Sequence, residues 1–319
     1  MKPILAVLVS LGAAALGFAA DPLQIAVIPK SVGNEYWEAL HAGALKAEAD
    51  LNAEGVPVKV SWEGTPREDM VEPQKQIVAK YVSRKVNAIV LGPLHSQALI
   101  ASVDEATAAH IPVVLIDSPL AGGSAVSTVA TNNYKAGMLA GKRLGEVLGG
   151  KGKVALFRFM KGHGSTQPRE SGFLDAIKKF PGIEVVSANL QAGATIEEAT
   201  TNAKALLTQF GSDLQGVFAS NLVASNGMLA ALRETGSAGK IAFVGFDAND
   251  VEVEALRKGE MVGIAVQQPF MMGYLGVRTA VAKLQGKPVD QEVDTDVKIV
   301  TKENLETPEV KKLLNPTGA

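Results

Sequence analysis

The sequence predicts an α/β protein of two doubly wound parallel-sheet lobes. Three observations predict it. Short, continuous, β-branched apolar runs alternate with Ala- and Leu-rich stretches at helical spacing, and that alternation begins a second time near residue 154. The length left after the first twenty residues, close to 300, suits two ordinary domains. Continuous β-branched runs suit parallel strands covered on both faces, and regular β-α-β order implies right-handed crossovers.

Ile25-Ala26-Val27-Ile28 is the first strand, and Trp37 to Asn52 the first helix. Val58 to Trp62, a helix over Pro73 to Ser83, Ala88 to Leu91, a helix through Ala98 to Ala109, and Val113 to Ile116 complete the first set. The second set opens with Val154 to Phe157. Pro181-Gly182 ends the following helix, Ser171 to Phe180. Ile183 to Val186, a helix over Ile196 to Phe210, Gly216 to Ala219, a helix over Leu222 to Thr235, and Ile241 to Phe246 follow. The first break falls near Thr131, and no low-complexity linker separates the sets. After Lys298 the chain is polar and loses periodicity.

The N-terminus reads as a secretory signal peptide over residues 1–20. Lys2 supplies the positive start, Ile4 to Phe18 is an uncharged apolar run, and cleavage is expected near Ala19 or Ala20. At 15 residues the run is short of the ~20 that span a bilayer. The chain has no cysteine, which removes disulfides, thiolate metal sites, cysteine nucleophiles and a lipid anchor together. A formal charge of −2 offers no basic surplus for nucleic acid. The expected ligand is therefore small.

Open α/β sheets bind ligands beyond the carboxyl ends of their strands. That places Lys30 to Trp37, Gly92 to Ser96, Asp117-Ser118, Met160 to Arg169, Asn221 and Asp247 as candidates. Asp117 and Asp247 form the strongest pair, one carboxylate per lobe, each at a strand end. Carboxylates accept from two hydroxyls, and Arg and Asn add donors in fixed geometry. Tyr36 and Trp37 follow the first strand in a chain only 5% aromatic, which suits the apolar face of a sugar. The plainer alternatives are a cap or turn role for either Asp, a buried anchor for Trp37, and a surface helix position for Arg169.

Other motifs carry less. Gly145 to Lys151 matches G-x-x-x-x-G-K, but Gly152 stands where Ser or Thr is needed, and a helix precedes it. It reads as a helix C-cap and turn. The four histidines have no metal-ligand spacing. His41 and His110 read as helix-surface residues, and His95 and His163 as strand-end residues able to line a cleft. No G-x-S-x-G elbow occurs, so neither a catalytic set, a metal nor a cofactor is expected.

Six segments in order resemble a known family: Ile25 to Trp37 (IAVIPKSVGNEYW), Ile111 to Asp117 (IPVVLID), Val129 to Asn133 (VATNN), Arg169 to Phe173 (RESGF), Val217 to Asn221 (VFASN) and Phe243 to Asp247 (FVGFD). They resemble the ribose-type periplasmic sugar-binding proteins of ABC transporters, which have the type I periplasmic binding fold and are related to the effector core of lactose-repressor-type regulators. The match runs from about Leu23 to Leu305. The resemblance implies a pocket of Asn34, Tyr36, Trp37 and Asp117 from one lobe, Arg169, Asn221 and Asp247 from the other, and Gln267 at the hinge side. Lys30 joins the set where the family has a small hydroxyl residue. Three chain crossings, near Thr131, Gln267 and Asp296, would form the hinge. The lobes would then comprise residues 21–130 plus 268–296, and 131–267 plus 297–319.

The function this implies is a periplasmic monomer that captures a pentose, hexose or polyol and hands it to an ABC transporter permease. A sensor of the same fold would present its ligand to a chemoreceptor or sensor kinase. Ser118 replaces the family's Arg, and Ala194 falls where ribose binders carry an aromatic. The Ile-Pro-Lys start is similar to binders of a furanosyl quorum signal and of polyols. These departures point away from ribose itself. A regulator would need a helix-turn-helix ahead of the first strand, and a secreted α/β enzyme is the remaining rival.

Overall fold

The structure, a computed structural model, describes residues 21–316. The expected signal peptide, with its cleavage point, lies outside the described residues. Two six-stranded sheets organise the chain. The first contains β1 (Leu23–Ile28), β2 (Val58–Trp62), β3 (Ala88–Leu91), β4 (Val113–Ile116), β5 (Ser127–Ala130) and β11 (Glu292–Asp294), in the order β11-β5-β4-β3-β1-β2. The second contains β6 (Lys151–Phe157), β7 (Gly182–Ser187), β8 (Gly216–Ala219), β9 (Ala242–Phe246), β10 (Gly263–Val266) and β12 (Lys298–Val300), in the order β12-β10-β9-β8-β6-β7. All pairings are parallel except β10 with β12. In each sheet the strand order therefore reverses beside the first strand, β1 or β6, and that switch point opens a crevice at the strand ends.

The helices are α1 (Glu35–Ala53), α2 (Val71–Ser83), α3 (Ile100–Ala108), α4 (Asn133–Val147), α5 (Thr166–Ile177), α6 (Ile196–Phe210), α7 (Leu222–Glu234), α8 (Asp250–Lys258), α9 (Pro269–Leu284) and α10 (Pro308–Leu314). They cover both faces of each sheet. Along β1, Ile25 and Val27 face one apolar cluster while Ala26 and Ile28 face another, all fully buried. That two-sided burial is why the strands read as unbroken apolar runs.

Two helix pairs set the entry of the site-bearing helices. A Cβ on Gly43 of α1 would lie 1.9 Å from the carbonyl oxygen of Phe270 in α9, and one on Gly137 of α4 would lie 1.8 Å from that of Arg169 in α5. Glycine lets both pairs approach backbone to backbone, which fixes the N-terminal turns of α1 and α5. Those turns carry Tyr36, Trp37 and Arg169.

The structure corrects the sequence reading at several points and rules out one of its plainer alternatives. The helix expected from Ser171 begins five residues earlier, at Thr166, because Pro168 sits in the first turn, where a missing N–H costs nothing. The tail after Lys298 is ordered: β12 pairs antiparallel with β10, and Thr307 caps α10 with Pro308 at its first position. His110 is not on a helix surface but just past α3, in a left-handed turn with φ of 62°. Neither Asp117 nor Asp247 caps a helix; Asn249 caps α8 and Asn132 caps α4.

Candidate ligand-binding site

The chain passes between the sheets three times, after β5, after β10 and after β11. Beside these crossings, at the strand ends of both sheets, lies a small cavity of about 30 Å3, room for one or two waters. Lys30, Asn34, Tyr36, Trp37, Asp117, Arg169, Asn221, Asp247 and Gln267 all line it, so the structure brings the nine sequence-selected residues together. Ala194 lies outside the lining, its N–H bound to Glu198.

On the first lobe, Asp117 is the centre. Its backbone is left-handed, with φ of 64°, a conformation that Asp tolerates better than most residues. Lys30 Nζ lies 2.5 Å from Oδ2, the Ser118 hydroxyl donates to Oδ2 at 2.7 Å, and the Tyr36 hydroxyl donates to Oδ1 at 2.7 Å. Burial opposes the charge, but Lys30 and these hydrogen bonds outweigh it and hold the carboxyl below the usual carboxylate range. Burial, followed by the charges of Asp117 and Asp247, pushes the Tyr36 phenol well up, so it stays a donor. Asn34 caps α1 by accepting from the Trp37 N–H. Trp37 is both a core anchor, 2% exposed, and a wall of the cavity. Its indole N–H donates to Glu68 at 2.9 Å. Burial raises the Glu68 carboxyl despite the pull of Lys30 and Trp37.

On the second lobe, Arg169 is buried, not on a helix surface. Its guanidinium donates twice to Asn133 Oδ1, at 3.1 and 2.6 Å, and once to the Ser220 carbonyl, and it stacks 3.3 Å over the Phe246 ring. Burial lowers its pKa while the Asp247 and Asp117 charges oppose that. Asp247, with φ of 68°, accepts from the Gln267 amide at 2.7 Å. Burial raises its carboxyl, and Arg169 and Gln267 only partly counter this. Asn221 caps α7 through its oxygen.

The lobes touch across the cavity. Lys30 donates to Ser165 Oγ at 3.2 Å, and the Ser96 N–H donates to the Gly162 carbonyl at 2.8 Å. A Cβ on Gly164 would meet the Pro119 carbonyl oxygen at 2.4 Å. His163, in this loop, lines the cavity, packs edge-on to Phe159 and has its pKa lowered to about 3 by burial and then by Lys30. His95 lies outside the lining, against Gly162, and its Nδ1 accepts from the Gln97 and Ala98 N–H groups. His163 Nδ1, Thr166 Oγ1 and Gln267 Oε1 are buried without a hydrogen-bond partner among the described residues. Buried polar atoms in that condition are uncommon, and all three belong to residues lining this cavity.

Glu68 and Phe159 escaped the sequence reading. Glu68 lies six residues past an edge strand, and Phe159 falls between the strand ending at Phe157 and the candidate stretch beginning at Met160. A strand-end search extended past β2 would have reached Glu68. No group of three or more His, Asp or Glu among the described residues could hold a metal ion.

Comparison with known proteins agrees with this architecture. Residues 25–288 match the periplasmic binding protein domain family. The ribose import binding protein of Haemophilus influenzae is 29% identical over 93% of this chain and 97% of its own. A carbohydrate transporter solute-binding protein from Agrobacterium radiobacter, solved with D-arabinose, is 33% identical, covers 92% of this chain and 99% of its own, and superposes with a TM-score of 0.86. An ABC transporter solute-binding protein from Agrobacterium vitis, solved with D-fucose, is 33% identical over 91% and 99%, with a TM-score of 0.85. The chain belongs to the periplasmic binding protein family.

Proposed function

We propose that this protein is an exported solute-binding protein, not an enzyme, that captures a small carbohydrate or polyol between its lobes and delivers it to the permease of an ABC transporter. The observation that carries the reading is the interlobe cavity. It sets one carboxylate at a strand end of each sheet and adds three buried polar atoms without partners among the described residues. Hydroxyls, as both donors and acceptors, suit such a lining. The relatives' ligands, ribose, D-arabinose and D-fucose, support the class. The nine residues named from the sequence are the proposed contacts.

Binding then requires motion. A cavity of about 30 Å3 is far below the ~300–1,000 Å3 of ligand pockets, so ligand enters with the lobes apart and the liganded form closes around a wider space than this one. The lobes are residues 21–130 plus 268–296, and 131–267 plus 297–319, turning about the three crossings. Closure is favoured by ligand contacts that only the closed form makes.

A thermal-shift screen of pentoses, hexoses and polyols tests this. A ligand at 100 times its dissociation constant should add about 2.7 kcal/mol of stability and be recovered chemically intact. No shift with any of them overturns the carbohydrate reading, and turnover overturns the binding-protein reading.

A further inference from the structure

A second cavity adjoins the first. Its volume is about 570 Å3, within the ordinary range of ligand sites. Tyr36, Asp247 and Gln267 line both cavities, so they form a shared partition. Beyond it the walls are mixed, with charged groups such as Glu35, Asp250, Lys298 and Lys312 beside an apolar stretch. Phe270 and Met271 come from the first turn of α9, and Leu313 and Leu314 from the end of α10. The cavity thus borders both lobes and the crossing after β10.

We propose that the binding site continues past this partition, and that it takes glycosides whose apolar aglycone fills the second cavity. The inference rests on the carbohydrate reading and narrows its substrate class. Three observations support it. The space beside the carboxylates is too small for substituents, while the adjoining space is many times larger. Gln267 is 2% exposed, and its Oε1 has no partner among the described residues although its amide nitrogen is bound to Asp247; an acceptor at the junction can take a hydroxyl donor from a sugar lying there. The four apolar side chains offer nothing to further hydroxyls but favour an alkyl or aryl group. Charged and amide side chains, among them Glu35, Asp250, Gln268 and Lys312, also border this space, so a disaccharide is the competing occupant and is included in the test.

Calorimetry on the intact mature protein tests this with D-arabinose, D-fucose and D-ribose, each compared with its phenyl α- and β-glycosides and with disaccharides carrying it at the non-reducing end. For at least one sugar, a phenyl glycoside should bind about tenfold or more tighter than the free sugar, the worth of burying part of an aromatic ring. Met271→Asp and Leu313→Asp should each remove that gain and leave free-sugar affinity within about twofold, since neither residue lines the polar cavity. Free sugars that bind as tightly as their phenyl glycosides, or tighter, overturn the extended site and leave the carbohydrate reading standing. A disaccharide that outperforms the phenyl glycosides overturns the apolar aglycone. If neither free sugars nor glycosides bind, the carbohydrate reading fails and this inference fails with it.

Discussion

Asp117 and Asp247 occupy the same place in two sheets. Each follows the fourth strand of its own sheet, and each holds a left-handed backbone, with φ of 64° and 68°. Their surroundings differ. Asp117 is neutralised by Lys30, whereas Asp247 has a neutral amide at 2.7 Å and Arg169 only at longer range. The site is symmetric in backbone and asymmetric in charge.

Asp117→Ala and Asp247→Ala should each weaken binding of a ligand found by the screen by at least ~2 kcal/mol, about 30-fold, the scale for leaving buried partners unsatisfied. Titration calorimetry checks this. Unchanged affinity in both variants removes the two carboxylates from the site.

Stability should separate the same two variants. Asp117→Ala strands the buried Lys30 ammonium, a loss of roughly 3 kcal/mol, while Asp247→Ala strands an amide and removes a more distant charge from Arg169, which keeps its bonds to Asn133 and Ser220, roughly 1 kcal/mol. Denaturant titration at neutral pH should place Asp117→Ala well below Asp247→Ala. Equal losses would mean that the Lys30 pair contributes nothing special.

His163 predicts a pH effect. Its folded pKa, lowered to about 3, lies below the ordinary 6.5, so the unfolded chain takes up this proton first. The stability tied to the neutral ring is complete above 6.5 and declines as pH falls toward 3, by up to about 1.4 kcal/mol per pH unit. Asp247 and Glu68, with raised carboxyls, act in the opposite direction over their own ranges. The informative quantity is therefore the difference between the wild type and His163→Gln, followed by denaturation from pH 7 to 4. A difference that does not change with pH contradicts the burial of a neutral ring.

Gly164→Ala should impair closure. The added Cβ meets the Pro119 carbonyl at 2.4 Å, and overpacking of that kind costs ~1–3 kcal/mol. Ligand affinity should fall about tenfold or more, and small-angle scattering with saturating ligand should show a larger radius of gyration than in the wild type. A fully compact, tightly binding variant would show that the lobes do not meet there.

Much of this was legible in the sequence for a physical reason. Strands buried on both faces leave continuous apolar runs, and the residues directly after them mark the crevice, which is how Asp117, Asp247, Arg169 and Asn221 stand out. Lys30 and Asn34 fall in the stretch after the first strand, but only the family resemblance singles them out within it, and it alone points to Gln267. β11 and β12, three residues each, are too short to carry a period. The Gly- and Ala-rich α4 and the nearly uniformly apolar α9 hide their faces because each packs closely against another helix as well as a sheet. Pairing is what a sequence hides best: nothing in it says that Lys30 spends its charge on Asp117 or that Glu68 holds the indole of Trp37.

The contact between Ser96 and Gly162 is made by main-chain atoms, and the close approach at Gly164 ends on a carbonyl. Such a clasp is indifferent to side-chain identity inside the cavity. The outline of the shut molecule can then stay constant while pocket residues change from one descendant to the next, so that new ligands are acquired without redrawing the surface that any membrane partner must read.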